Sequence, residues 1–149
     1  MRIEYFVLLL FALSAILSCN RQPKSTDDPI VNAAADDPEL EEAQKVAQSK
    51  LEYFSNSFTS SSTDTIFDFL IKADFIENSQ HEHMWVSIIA IENNNFRGTL
   101  ENDPQIINNI QFGDIVTIQK DQVEDWMIVN KNTMTWEGGY SIEVFQNRN

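Results

Sequence analysis

The stretch His81-Glu82-His83-Met84-Trp85-Val86-Ser87-Ile88-Ile89-Ala90-Ile91-Glu92 decides the fold. It is the longest apolar run after the N-terminal segment, and it predicts a central β-strand buried on both faces. Because successive strand residues point to opposite faces, one face is wholly apolar: Met84, Val86, Ile88 and Ala90. The other face begins with His81, His83 and Trp85 and ends aliphatic, which suits the floor of a shallow pocket.

The segment before this strand predicts an amphipathic helix from Asp37 to about Ser57. Asp37 can cap the free amides, and Pro38 suits the first helical position. Apolar residues then recur at spacings of three and four: Leu40, Ala43, Ala47, Leu51, Phe54 and Phe58. We expect this helix to cover one face of a sheet.

Short strands are predicted on both sides of the central one. Alternation of apolar and polar residues over Ile66–Phe75 predicts a half-buried strand that forms an antiparallel hairpin with it. Further segments are predicted as strands at Phe96–Leu100, Ile115–Ile118 and Val123–Val129, with a short helix in Glu101–Ile110 and a last edge segment at Ser141–Phe145. The fold class is therefore α+β: an N-terminal amphipathic helix on a twisted antiparallel sheet of about five strands. Curling into a barrel-like sheet stays an alternative.

The composition of the 149-residue chain limits the classes of partner that it can bind. The formal net charge is −13 and the pI is about 4.3. Nucleic-acid binding requires a basic surface that neutralises phosphates, so we predict no nucleic-acid partner. Strong acidity suits solubility or a basic partner.

The N-terminus indicates a lipoprotein. Residues 1–18 combine Arg2 with a short apolar run typical of a secretory signal, and Ile16-Leu17-Ser18-Cys19 resembles the lipobox of bacterial lipoproteins. We expect acylation with palmitate at Cys19, a tether over 19–36 and a folded domain over 37–149. Asn20 after the cysteine favours the outer over the inner membrane of the cell envelope.

The candidate ligand-binding residues are Glu82, His83, Trp85, Asn102, Asp125 and Trp126. Glu82, His83 and Asp125 are predicted to form a polar network at one end of the sheet, acting either as a fold-fixing cluster or as a recognition site. His81 and His83 share a strand face, but two ligands do not make a metal site, so we predict no metal. We also predict no cofactor and no catalytic residue.

An ordered series of short segments carries a family resemblance. The segments are Glu82-His83-x-Trp85-Val86, Gly98-x-Leu100-x-Asn102-x-Pro104, Gly113-Asp114-x-Val116, Asp125-Trp126 and Gly138-Gly139-Tyr140. Together they resemble the YegJ-like bacterial family, a domain of unknown function, over Glu42–Phe145. The resemblance implies a shared fold and brings no activity, cofactor or catalytic residue. His81 lies outside the motif.

The sequence is compatible with three functions. The first is a non-catalytic envelope lipoprotein that binds a protein or a small ligand through the His83 and Trp85 end of the sheet. The second is a metal-dependent hydrolase that uses Glu82 and His83, with Asp125 as a further candidate. The third is an acidic immunity or inhibitor protein directed against a basic partner.

Overall fold

The computed structural model describes residues 37–61 and 63–148. In this part of the chain, three helices and six strands form an α+β fold, as predicted. The helices are α1 (Pro38–Ser49), α2 (Leu51–Ser61) and α3 (Tyr140–Gln146), and a 3₁₀ turn spans Lys120–Gln122. The strands are β1 (Phe67–Glu77), β2 (Gln80–Glu92), β3 (Asn95–Leu100), β4 (Ile115–Gln119), β5 (Val123–Asn130) and β6 (Thr135–Gly138).

The six strands form one antiparallel sheet in the order β4-β3-β2-β1-β5-β6. The predicted hairpin of β1 and β2 lies at its centre, with Leu70 opposite Ser87 and Ile76 opposite His81. The sheet has one strand more than expected. Within the described residues it stays open, with β4 and β6 at its edges, so the barrel alternative is not realised.

The helical segment covers one face of this sheet. Asp37 caps α1 by accepting the amide of Glu39 at 3.0 Å. The predicted single helix breaks at Lys50, where φ is −107°, and it ends later than expected. Its predicted apolar stripe is confirmed where it meets the sheet, because Leu51 and Phe54 are fully buried. Phe54 packs edge-on against Phe69 of β1, with ring centroids 5.7 Å apart.

Strand β2 is buried on one face only, so the expectation of burial on both faces is wrong. Met84, Val86 and Ile88 lie in the core, whereas Ile89 is 50% exposed. The reason is that the core-lining side chains of the helices pack against this one face. An apolar run in a strand therefore does not by itself indicate that both faces of the strand are buried.

A bulge near the end of β2 changes which residues point inward. Ile88 lies opposite Gly98, but Ala90 lies opposite Arg97, so one extra residue is inserted. Ala90 consequently leaves the buried face to which the alternation had assigned it. Gly98 is required here, because a Cβ atom would meet the Ser87 carbonyl oxygen at 2.3 Å.

The C-terminal segment differs from its prediction. Ser141–Phe145 belongs to helix α3 instead of an edge strand, and the edge strand is β6, which was not predicted. Gly138 and Gly139 have φ of 78° and 74°, so the chain turns out of β6 directly into the helix. The segment Glu101–Ile110, where a short helix was expected, has no regular secondary structure.

The N-terminal predictions concern residues that the structure does not describe. The signal segment over 1–18, the acylated Cys19 and the tether over 19–36 all lie outside 37–148, so they stay predictions. Among the helices of the described part, none has the length and apolar character required to cross a bilayer.

Candidate functional site

The sheet face turned away from the helices, here called the outer face, carries His83 and Trp85. Pairing places His83 opposite Asp74 of β1 and Trp85 opposite Lys72. The inward neighbours of these residues, including Ala73 and Met84, are buried in the core. The outer face therefore presents side chains from the two central strands to solvent.

Two histidine–carboxylate pairs lie on this face. His83 Nδ1 is 2.8 Å from Glu124 Oε2, and His81 Nδ1 is 2.6 Å from Asp74 Oδ2. The hydrogen bond to Glu124 raises the pKa of His83 above its ordinary value, and the effect exceeds the opposing effect of burial. The His83 ring remains 52% exposed, so it is accessible to a partner.

Asn102 and Trp85 are joined through the backbone. The Asn102 side-chain oxygen accepts the Trp85 amide at 2.6 Å, and the Trp85 carbonyl accepts the Glu101 amide at 2.9 Å. These bonds attach the start of the long 101–114 loop to β2. Asn102 thus has a structural role, while the half-buried Trp85 ring stays on the outer face.

Glu82 holds the same loop further along. Its carboxylate accepts the backbone amides of Gln105, Ile106 and Ile107 at 2.8 to 3.0 Å. Burial favours a higher pKa for Glu82, but the three amide hydrogen bonds outweigh it and the pKa is lowered. A carboxylate held in this way is ionised and engaged, which makes it a poor proton acceptor for a substrate.

Asp125 is fully buried and organises the start of α3. One carboxylate oxygen accepts the amides of Trp126 and Tyr140 at 2.8 and 3.2 Å. The other oxygen accepts the amide and the hydroxyl of Ser141 at 2.8 and 2.7 Å. Asp125 therefore accepts the hydrogen bonds of the backbone amides at the turn from β6 into α3.

Trp126 lies in the core beside Asp125. Its side chain is 1% exposed, and its indole nitrogen donates to the Ala47 carbonyl at 3.0 Å. This bond ties β5 to α1. Trp126 therefore anchors the helix to the sheet instead of standing on the outer face.

The structure separates the predicted network of Glu82, His83 and Asp125. Each of these residues forms hydrogen bonds with a different element: Glu82 with the 101–114 loop, His83 with Glu124 of β5, and Asp125 with the start of α3. Sequence reasoning missed Glu124. It is the extra residue of a bulge in β5, because Ala73 pairs with Val123 while Lys72 pairs with Asp125.

No grouping of three or more His, Cys, Asp or Glu side chains suited to a metal occurs among residues 37–61 and 63–148. His81 and His83 each bond a different carboxylate. The arrangement on the outer face can thus offer hydrogen bonds, a switchable positive charge and aromatic surface to a partner.

A cleft elsewhere in the fold was also missed. It has a volume of about 380 Å³ and lies where α2 meets β6, with Tyr53, Glu137 and Tyr140 among its lining residues. Tyr53 and Glu137 are 84 positions apart in the chain. No local pattern signals such a pairing.

Comparison with known proteins gives the relationships of the chain. A family model described as "Uncharacterized protein conserved in bacteria (DUF2314)" matches residues 37–148. The "Uncharacterized protein YegJ" of Escherichia coli K12 is 27% identical over 135 residues, covering 91% of this chain and 85% of that protein. The "Putative ankyrin repeat protein NMB1133/NMB1171" of Neisseria meningitidis serogroup B is 28% identical over 81 residues, covering 52% of this chain and 31% of that protein. No solved structure matches. The chain therefore belongs to the DUF2314 family of uncharacterized bacterial proteins, as its resemblance to the YegJ-like family predicted.

Proposed function

We propose that this protein is a lipid-anchored cell-envelope protein whose domain is a non-catalytic interaction module. The outer face around His83 and Trp85 captures a protein partner. The single observation that carries the proposal is that the helices pack on one face of the sheet and leave the centre of the other face half-exposed. Glu82, Asn102 and Asp125 are occupied by backbone amides, which leaves His83 and Trp85 as the available candidates.

The outer face has the make-up of an interaction surface. Leu70, opposite both Ser87 and Met127, adds half-buried apolar area beside Trp85, and Ile89 is exposed further along β2. Aromatic residues and methionine are enriched at protein interfaces, with polar groups at the rim. The His83–Glu124 pair supplies such a polar rim, so a protein with an apolar patch fits this face.

A partner-binding experiment tests the surface. The full-length protein and its Trp85→Ala and His83→Ala variants are used to capture envelope proteins in detergent, and binding of the captured partner is then measured by calorimetry. Trp85→Ala is expected to weaken binding about tenfold or more, as loss of an aromatic anchor does at other interfaces. Phe112→Ala is the matched control, because Phe112 is an exposed aromatic residue in the 101–114 loop. Equal loss in the control, or loss only through unfolding, would refute the surface.

The anchor is tested separately. Cys19→Ala is expected to abolish palmitate labelling and to move the protein from the membrane fraction to the soluble fraction. Several acyl chains on one cysteine bury many methylene groups, which makes the anchoring stable. Outer-membrane fractionation of the unmodified protein checks the expected membrane. Persistent membrane association of the unlabelled variant would contradict the lipoprotein assignment.

The net charge of −13 favours the inhibitor hypothesis as a second candidate. An acidic protein that neutralises a basic partner associates faster at low salt, since the opposite charges steer the encounter. Binding that weakens steeply with salt would support this reading, and salt-independent binding would favour the apolar outer face. The metal-dependent hydrolase has no specific support, because the Glu82 carboxylate is held by three amides.

A further inference from the structure

We infer that the cleft between α2 and β6 is a binding site for a neutral sugar ring, which is the repeating unit of a glycan. The cleft is lined by Lys50, Tyr53, Trp126, Glu137, Gly138 and Tyr140. Its volume of about 380 Å³ lies within the range of small-molecule sites. It contains none of the outer-face residues, so the inference stands independently of the proposed function.

Tyr53 and Tyr140 supply the accessible aromatic surface of the cleft, and the buried Trp126 ring packs against both of them. The ring centroids of Tyr53 and Trp126 are 6.1 Å apart at a tilt of 42°, and those of Trp126 and Tyr140 are 5.6 Å apart, edge to face. The Tyr53 side chain is 49% exposed, so a ligand has access to it. The C–H groups on one face of a sugar ring pack well against aromatic rings of this kind.

Polar groups of both kinds accompany the rings. The Tyr53 hydroxyl donates to Glu137 Oε2 at 2.6 Å, and this bond raises the pKa of Tyr53. The Lys50 ammonium lies 5.0 Å from the centre of the Tyr140 ring. One cation and one anion leave the cleft without net charge, which favours a neutral ligand. Sugar hydroxyls both donate and accept, so they can bond the carboxylate, the ammonium and the phenol alike.

The cleft is built before any ligand arrives. Trp126 is held by its indole hydrogen bond to Ala47, and the backbone of Tyr140 is held by the Asp125 carboxylate at 3.2 Å. Gly138 packs directly on Trp126, since a Cβ atom there would meet the Trp126 carbonyl oxygen at 2.1 Å. A pre-organised site loses less conformational entropy on binding, which favours affinity for a small ligand.

Saturation-transfer NMR on the full-length protein tests this inference. The probes are N-acetylglucosamine, maltose and, as a neutral zwitterion of another class, L-phenylalanine. The protein is kept in a detergent without a sugar headgroup, and each probe is raised to about 20 mM, at which a ligand with a Kd of about 1 mM nearly saturates its site. We expect saturation transfer to at least one saccharide and none to phenylalanine.

Variants locate the binding. Glu137→Gln is expected to weaken saccharide binding about tenfold, the typical effect of losing a hydrogen bond to a charged group. Tyr53→Ala is expected to abolish binding by removing a wall, whereas Tyr53→Phe retains the ring and part of the affinity. Glu52→Gln is the matched control, because Glu52 is an exposed acid on the same helix that does not line the cleft.

The outcomes separate cleanly. Saccharide binding that is lost in Tyr53→Ala and kept in His83→Ala supports the cleft, provided that the circular-dichroism melting curve is unchanged. Absence of transfer to both saccharides overturns the inference. Transfer that survives both Tyr53→Ala and Glu137→Gln would place the sugar elsewhere and also overturns it. Transfer to phenylalanine alone overturns it too, because the cleft would then bind an amino acid and no sugar.

Discussion

Glu124 and Asp125 are consecutive residues of the same strand, yet they belong to opposite regions of the molecule. Glu124 points to the outer face, where it bonds the half-exposed imidazole of His83. Asp125 is fully buried and bonds the start of α3 through both carboxylate oxygens. Glu124 is the extra residue of the bulge in β5, since Lys72 pairs with Asp125 and Ala73 pairs with Val123.

The comparison teaches that burial, not chemical type, decides what a carboxylate does in this fold. Removing a buried acceptor leaves its donors unpaired inside the protein, and this costs the full desolvation penalty of those donors. An exposed pair exchanges one set of hydrogen bonds for another set with water, so it contributes little to stability. The buried region around Asp125 should therefore govern folding, while the outer face is free to serve recognition.

The strongest test of this contrast compares the two neighbours directly. Asp125→Ala leaves buried donors at Trp126, Tyr140 and Ser141 without their acceptor, and we expect a loss of about 3 kcal/mol or more in the free energy of unfolding. Glu124→Ala is the matched control and should cost less than about 1 kcal/mol. Denaturant unfolding followed by circular dichroism measures both. Similar losses would remove the distinction between the two regions.

Gly138, which packs against Trp126, is expected to give the next largest loss in the free energy of unfolding. Gly138→Ala combines a φ of 78° with a Cβ atom 2.1 Å from the Trp126 carbonyl oxygen, so we expect a loss of about 2 to 3 kcal/mol. Gly113→Ala isolates the backbone contribution, since Gly113 has φ of 87° but an added Cβ atom would meet no other atom within 4 Å. It should cost about 1 kcal/mol. Thermal unfolding of both variants checks the difference; equal losses would exclude the steric contact as the cause.

Glu82 lies between the two extremes. Glu82→Gln weakens the amide hydrogen bonds to the 101–114 loop, and we expect a loss of about 1 kcal/mol near neutral pH. Because the folded pKa of Glu82 is lowered, its contribution is present above the unfolded value of 4.5 and is lost as the pH falls through the folded pKa. Unfolding curves from about pH 7 to about pH 3 should therefore converge for the two proteins. A difference that persists in acid would contradict this role.

The smallest stability effect is expected at His83. The pair with Glu124 is half-exposed, so His83→Gln should change the free energy of unfolding by about 0.5 kcal/mol or less. The pKa of His83 is raised, so the contribution of the charged pair is full below the unfolded value of 6.5 and disappears as the pH rises through the folded pKa.

The histidine ring gives the direct measurement of this pair. NMR titration of His83 should show a lower pKa in Glu124→Gln than in the unmodified protein, because the hydrogen bond to the carboxylate is the main cause of the shift. Lys131→Gln, which removes the partner of Asp68, is the control and should leave the His83 pKa unchanged. An unchanged pKa in Glu124→Gln would break the assigned pair.

Local patterns predicted much of the fold. The alternation over Ile66–Phe75 predicted a half-buried strand, and the alternate residues Phe69, Ile71 and Ala73 of β1 do lie in the core. The helical spacing of Leu51 and Phe54 likewise identified the covering helix. Errors arose where one or two residues changed the geometry: Lys50 divided the helix, and Gly138 and Gly139 at the end of β6 led the chain into α3 where a strand was expected.

The candidate site was less predictable. His83 and Trp85 do share an exposed face, as their spacing on a strand indicated. Asn102, Asp125 and Trp126 instead bind backbone groups far along the chain, such as the Ala47 carbonyl for Trp126. The same polar residue types serve both purposes, and the distinction depends on which donors approach them in the folded protein.

The sequence by itself determined the α+β class, the central hairpin, the family and the acidic net charge, because these follow from local periodicity, short motifs and composition. Only the tertiary structure decided which sheet face is covered, how Glu124 and Asp125 diverge, and that Tyr53 meets Glu137 across a cleft. Those outcomes depend on contacts between distant segments and on a one-residue bulge, and a shift of one residue changes which side chain faces the core.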